Sequence, residues 1–119
     1  MEFTTSISGD QIQGSFFGPY NRDLVNDYVT MVVNFCKLKK CGKLFLDFRK
    51  VEGEVTINER YKLAEHLAGL ETAGIRISGV VTEGQSHPVK LAETVASVRG
   101  VNVKIWTDES EARRWLEVG

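Results

Sequence analysis

The residues most suggestive of chemistry stand in the run Thr56-Ile57-Asn58-Glu59, directly after a Glu-Gly-Glu turn. A threonine followed three residues later by glutamate matches the capping box that begins many helices. The hydroxyl could also accept a phosphoryl group, because a phosphate there would meet free N–H groups and the positive end of the helix dipole. Thr56 is therefore interpreted either as a helix cap or as a switch, with Asn58 and Glu59 beside it as partner-binding residues.

A second polar group is predicted where parallel strands end. Arg49 and Lys50 follow the apolar run KLFLDF, and Ser86 and His87 precede Pro88, a residue favoured at the first position of a helix. Ligands bind outside the carboxyl ends of parallel strands. An anion could thus rest on the free amides of this helix with Arg49 or Lys50 nearby. The alternative is that Ser86 caps the helix, Pro88 starts it and His87 is solvated.

The sequence contains no motif for catalysis or for metal binding. Its two cysteines, Cys36 and Cys41, fit neither a CxxC pair nor a four-ligand zinc spacing, so two free thiols are expected. His66 directly follows a glutamate and is not part of HExxH, and neither GxGxxG nor GxxxxGK occurs. No nucleophile, base and orienting group stand in a recognisable arrangement. We predict no enzymatic activity, no metal and no cofactor.

Length and composition indicate an ordinary globular domain. The chain of 119 residues is 42% hydrophobic with a net charge of -1, which predicts one domain over residues 1–119 and argues against nucleic acid as a partner. No apolar run approaches the roughly 18 residues that cross a bilayer, and the N-terminus lacks a basic region followed by an apolar core. We expect a cytoplasmic protein with no membrane span.

Hydrophobic periodicity predicts the first three elements. Alternation over Phe3–Ile7 and Gln11–Phe17 indicates a β-hairpin. Apolar residues at spacings of three and four then predict a helix capped by Asn21 or Asp23 and ended by Gly42. Its predicted buried stripe comprises Leu24, Tyr28, Met31, Val32, Phe35 and Cys36.

Three further strands, each followed by a helix, complete the pattern. The strands are predicted at Lys43–Phe48, Ile75–Thr82 and Val101–Trp106, with helices starting near Thr56, Pro88 and Asp108. The first is apolar on both faces except at Asp47, which is typical of a central strand, whereas the last alternates and is expected nearer an edge. Gly79 indicates a close approach to the middle strand, and the helix after Thr56 is expected to turn Ile57 inward.

These elements predict an α/β fold in the order ββαβαβαβα. Right-handed crossovers make the later strands parallel, so the sheet is mixed: an N-terminal antiparallel hairpin is followed by parallel strands, with four helices on the faces. A response-regulator receiver has a similar length and helix alternation. It needs an acidic pair after its first strand, however, and it has no opening hairpin.

The chain resembles a STAS-type domain, the anti-sigma-factor antagonist fold, in its SpoIIAA-like branch, which is related in structure to CRAL-TRIO lipid carriers. The resemblance covers nearly the whole chain and is carried by KLFLDFRKVEG, with its aspartate, and by IWTDESEARRWL at the end. It implies a non-catalytic regulatory module that binds a protein partner or a small ligand.

The resemblance also bears on Thr56. In the antagonist proteins the aspartate of the central strand is followed, across a short turn, by Asp-Ser-Ser-Gly, whose first serine is phosphorylated. Counted forward from Asp47, the matching positions here are Val55, Thr56, Ile57 and Asn58. The hydroxyl is kept while the preceding aspartate and the glycine are absent, which argues against switching by a kinase.

The CRAL-TRIO kinship makes a carrier of a small hydrophobic or anionic ligand the alternative function. Phe16, Phe17, Tyr20 and Tyr28 lie around the entry to the first helix and would line its groove. Aromatic residues at such spacings more often fill a core, and a homodimer interface is a further use for them.

Overall fold

The computed structural model describes residues 1–118, with residues 86–92 described by their backbone alone. The elements are β1 (Glu2–Ser8), β2 (Gln11–Pro19), α1 (Arg22–Lys39), β3 (Lys43–Glu52), α2 (Ile57–Gly69), β4 (Arg76–Val80), α3 (Glu83–Val98), β5 (Val103–Trp106) and α4 (Glu109–Glu117). The strands lie in the order β1-β2-β3-β4-β5, with β1 antiparallel to β2 and every other neighbouring pair parallel. The predicted α/β class, element order and mixed sheet are confirmed.

The central strand β3 separates two cores, because its successive side chains point to opposite faces. Leu44 and Leu46 contribute to the larger core, which also holds buried residues of α1, α2 and α3. Phe45 contributes to a smaller core with Ala112 and Leu116 of α4. Helices α1 to α3 therefore cover one face of the sheet and α4 covers part of the other, which confirms a central strand buried on both sides.

Helix α1 begins as predicted, since Asn21 Oδ1 accepts a hydrogen bond from the Leu24 amide at 3.0 Å. It ends at Lys39, and the residue that caps it in the left-handed region, with a φ of 54°, is Lys40 rather than the predicted Gly42. The predicted buried stripe is partly wrong, because Met31 is 52% exposed. The residues on the sheet side are Val25, Val29, Val32, Val33 and Cys36. Tyr28 lies instead on the flank beside β1, where its ring stacks on Phe3.

Helix α3 begins one turn earlier than predicted. The expected start at Ser86-His87-Pro88 is wrong, because the helix begins at Glu83. Gln85 Oε1 accepts a hydrogen bond from the Thr82 amide at 2.8 Å, and Thr-x-x-Gln is itself a capping-box pattern. Ser86 and His87 therefore lie within α3, and their side chains fall outside the described residues.

Other predictions of the chain's local structure are confirmed. A Cβ on Gly79 would lie 2.7 Å from Ile105 Cδ1, which is the predicted close approach. Strand β5 is at an edge of the sheet, and the Asp108 side chain caps α4. Cys36 and Cys41 are free thiols. Within residues 1–118, no helix has both the length and the apolarity that a membrane span requires.

Candidate functional site

Thr56 caps α2, since its Oγ1 accepts a hydrogen bond from the Glu59 amide at 3.2 Å. The Glu59 carboxylate does not complete the capping box in the usual way. It lies 3.2 Å from Arg22 Nε and accepts from the Tyr20 hydroxyl at 3.4 Å, which ties the first turn of α2 to the start of α1. Glu59 is thus engaged within the molecule, while Thr56 and Asn58 are exposed.

The first turn of α2 also presents an apolar side chain to solvent. Ile57 was expected to point inward but is 50% exposed, because the buried positions of α2 are Ala64 and Leu67 further along the helix. It stands between the exposed Thr56 and Asn58. We call residues 56–58 the α2 surface.

Arg49 lies at a different place from the predicted anion pocket. Its guanidinium donates from Nη2 to Asp47 Oδ2 at 2.8 Å and to Glu109 Oε1 at 2.7 Å, on the face that α4 covers. Burial raises the pKa of Asp47, but the hydrogen bonds and charge of Arg49 outweigh it and leave that pKa lowered. Lys50 is exposed, with its Nζ 5.5 Å from the centre of the Phe17 ring. The structure therefore does not bring Arg49 to the start of α3.

The ion pairs continue from Arg49 along α4. Arg113 Nε donates to Glu109 Oε2 at 3.0 Å, and its Nη2 donates to Gln13 Oε1 of β2 at 2.7 Å. Hydrogen bonds from Arg113 and from Arg49 lower the pKa of Glu109. The network binds α4 to the sheet, which is a structural use for Arg49.

A cavity of about 120 Å³ lies within the larger core, between the sheet and helices α1, α2 and α3. Its lining is mostly aliphatic and aromatic. The described residues that line it are Tyr20, Val25, Val29, Leu46, Phe48, Val51, Val55, Arg60, Leu63, Ala64, Leu67, Ile77, Gly79, Val81, Gln85, Glu93, Ala96, Val103 and Ile105. Of the four aromatic residues predicted to line a groove, Tyr20 lines this cavity, whereas Phe16 is buried in the core, 4.7 Å from both the Phe3 and Phe48 ring centres.

Arg60 is the cationic residue in this lining, and sequence analysis missed it. Its Nε donates to the Val55 carbonyl at 3.1 Å and its Nη1 donates to the Gln85 carbonyl at 2.9 Å. It thereby joins the starts of α2 and α3 at the carboxyl edge of the sheet. Burial lowers its pKa, with a smaller opposing effect from Tyr20. Its place one turn after the Thr56 cap is the signal that could have identified it.

Among the residues with described side chains, no three of His, Cys, Asp or Glu come together in a way that could hold a metal ion.

Comparisons with known proteins identify the fold. No protein family and no curated protein matches the sequence. The chain is similar to the crystal structure of an anti-sigma factor antagonist from Mycobacterium paratuberculosis, with a TM-score of 0.63 and 14% identity over 98% of this chain and 95% of that one. It is also similar to the NMR structure of the protein TM1081, with a TM-score of 0.57 and 17% identity over 100% of this chain and 91% of that one. The chain thus has the STAS-like fold of an anti-sigma factor antagonist, as the resemblance implies.

Proposed function

We propose that this protein is a non-catalytic regulatory module of the SpoIIAA-like STAS type, which acts in the cytoplasm by binding a protein partner. The observation that most directly supports this proposal is the α2 surface, where Ile57 is 50% exposed at the start of a helix. An exposed apolar side chain between two exposed polar residues suits the centre of a small protein contact. Thr56 within it is the position that matches the phosphorylated serine of the antagonist proteins. One solved structure of similar fold is an anti-sigma factor antagonist.

Affinity co-purification from an extract of the source organism tests this proposal. The bait proteins are the parent, Ile57→Asp, and Met31→Asp as the matched control, because Met31 is similarly exposed at 52% but lies on α1. A partner held by the parent and by Met31→Asp but lost by Ile57→Asp is expected. The same set of proteins on all three baits would contradict a contact at the α2 surface.

A Thr56→Asp bait determines whether the same surface is a switch. Aspartate keeps a capping oxygen and adds the negative charge that a phosphate would bring. Loss of the partner from this variant would assign a switch to Thr56, whereas retention would leave it a cap. Sedimentation of the purified protein shows whether it forms a homodimer. This distinguishes a second copy of the chain from a different protein as the partner.

A carrier of a small ligand is the second candidate function, and the cavity lined by Arg60 favours it. Its described lining is mostly apolar and includes the cationic side chain of Arg60, which is the composition common to small-molecule sites. This candidate depends on the cavity alone.

A further inference from the structure

We infer that the cavity binds a small amphipathic carboxylate, with the apolar part of the ligand inside the cavity and its carboxylate on Arg60. This inference rests on the second candidate function and specifies its ligand. It requires three properties of the cavity, which are its size, its apolar interior and an available charge at one end.

The size of the cavity limits the apolar part of the ligand. Its volume of about 120 Å³ is somewhat below the roughly 150 Å³ of an engineered apolar cavity that binds benzene. The interior is formed by Leu46 and Phe48 of β3, Ile77 of β4 and Leu67 of α2. A hydrocarbon group of about four to six carbons would fill this space and remove apolar surface from water.

The charge is supplied by a guanidinium that the protein already holds in place. Two carbonyls fix Arg60, through Nε to Val55 and through Nη1 to Gln85. Nη2 makes no hydrogen bond within the part of the chain that is described, and the side chain as a whole is only partly buried. A carboxylate could thus reach Nη2, and the planar guanidinium geometry suits it. Fixing the donor beforehand reduces the ordering cost of binding.

Among the described side chains, Arg60 also lacks the counter-charge that three other arginines have. Arg22, Arg49 and Arg113 each lie within 3.2 Å of a carboxylate oxygen. Over residues 1–118, excluding the side chains of 86–92, no carboxylate pairs with Arg60. Glu93 also lines the cavity, but its Oε2 accepts from the Ile105 amide at 2.8 Å, on the β5 side. An anionic ligand would supply the missing partner, which is the reason for choosing a carboxylate over a neutral ligand.

Binding of straight-chain carboxylates from acetate to octanoate tests the inference, with 1-hexanol as the neutral probe. The measurement is a titration followed in the ¹H–¹⁵N spectrum of the whole chain. Affinity should rise with chain length up to about hexanoate and then stop rising, because the cavity is full. The largest shifts should appear at the amides of Val55, Arg60, Gly79 and Gln85.

Two variants separate the charge from the cavity. Arg60→Gln should weaken hexanoate binding by about tenfold or more, which is the effect of losing a hydrogen bond to a charged group, and should leave hexanol affinity within about twofold. Lys62→Gln is the matched control, because it removes one positive charge from an exposed position of the same helix. Ala64→Leu should fill the cavity and abolish binding of both probes, with its thermal transition showing that it folds.

Four results would overturn the assignment. Hexanoate binding that is equal in Arg60→Gln and in the parent would exclude the charge contact, while leaving an apolar carrier intact. Shifts confined to other surfaces, or binding that survives in folded Ala64→Leu, would exclude the cavity. If no probe binds at millimolar concentration, both this inference and the carrier function fail, whereas the partner-binding proposal is tested separately by the Ile57 variant.

Discussion

Arg49 Nη2 donates to Glu109 Oε1 at 2.7 Å and so joins the central strand β3 to helix α4, across a separation of 60 residues. The same nitrogen donates to Asp47 at 2.8 Å. With its charge balanced by two acids, Arg49 has a structural role in holding α4 against the sheet.

Arg49→Gln should lower the free energy of unfolding by about 1 kcal/mol near neutral pH. The estimate is modest because the Arg49 side chain is 36% exposed and solvent screens the pairs. Urea unfolding of the variant beside Lys50→Gln, a neighbouring exposed cation, measures the difference. Equal losses in the two variants would show that the pairing with Glu109 contributes nothing specific.

The effect of Arg49 should disappear in acid. The folded-state pKa values of Asp47 and Glu109 lie below their ordinary values of 3.8 and 4.5. A lowered folded pKa gives stability that is present above the unfolded pKa and is lost as pH falls through the folded one. The difference in free energy of unfolding between the parent and Arg49→Gln should therefore narrow as the pH falls below the ordinary pKa values of these two carboxyl groups. A difference in free energy of unfolding that stays constant down to strongly acidic pH would refute this electrostatic explanation.

Thr56→Ala should destabilise the protein by about 1 kcal/mol without releasing its partner. The variant loses the hydroxyl that accepts from the Glu59 amide, and a lost N-cap typically has that cost. Thermal unfolding of Thr56→Ala beside Thr56→Ser, which keeps a capping hydroxyl, measures the loss. A Thr56→Ala protein that is as stable as the parent but no longer binds its partner would contradict the capping role.

His66→Leu should lower the free energy of unfolding by about 1–2 kcal/mol, through loss of a polar contact between α1 and α2. His66 Nε2 lies 2.7 Å from Thr30 Oγ1 and 3.1 Å from the Asn26 carbonyl oxygen. The measurement is urea unfolding, with His66→Gln as the variant that can still bond these groups. Identical stability of the leucine and glutamine variants would show that the hydrogen bonds add nothing to packing.

Gly14→Ala should destabilise the hairpin side of the core by about 1–3 kcal/mol, as overpacking typically does. An added Cβ would lie 2.7 Å from Phe3 Cζ and 3.1 Å from Leu46 Cδ2. The Phe3 ring has little room to move because it stacks on Tyr28 at 4.9 Å between ring centres. The loss should shrink in a Phe3→Leu background, which a double-mutant cycle measures. If the changes in free energy of unfolding from Gly14→Ala and Phe3→Leu are strictly additive, the proposed clash between the two positions is contradicted.

Predictions from sequence succeeded where the determining interaction spans one helical turn. Thr56 and Asp108 were identified as caps, and Asn21 was one of the two candidates for α1, since a capping side chain bonds an amide two or three residues ahead. The one misplaced start, at Ser86, had a local explanation as well. Thr82 and Gln85 form a capping pattern, which the prediction did not use because it relied on the preference for proline at the first helical position.

Errors arose where two faces of one helix are both apolar. In α1 the sequence offers two adjacent apolar stripes, and the prediction combined them. Packing places Val29 against the sheet and leaves Met31 exposed, because the rotation of a helix is set by the surface it meets. In α2 the exposure of Ile57 has the same cause.

The sequence by itself determined the order of the elements, their approximate bounds and the caps, because periodicity and capping depend on neighbours along the chain. Only the tertiary structure decided that Arg49 pairs with Glu109 and that Arg60 meets Gln85, at separations of 60 and 25 residues. Such contacts depend on strand register and helix rotation, which result from packing of the whole core. The cavity beside Arg60 likewise exists only once the sheet and three helices have come together.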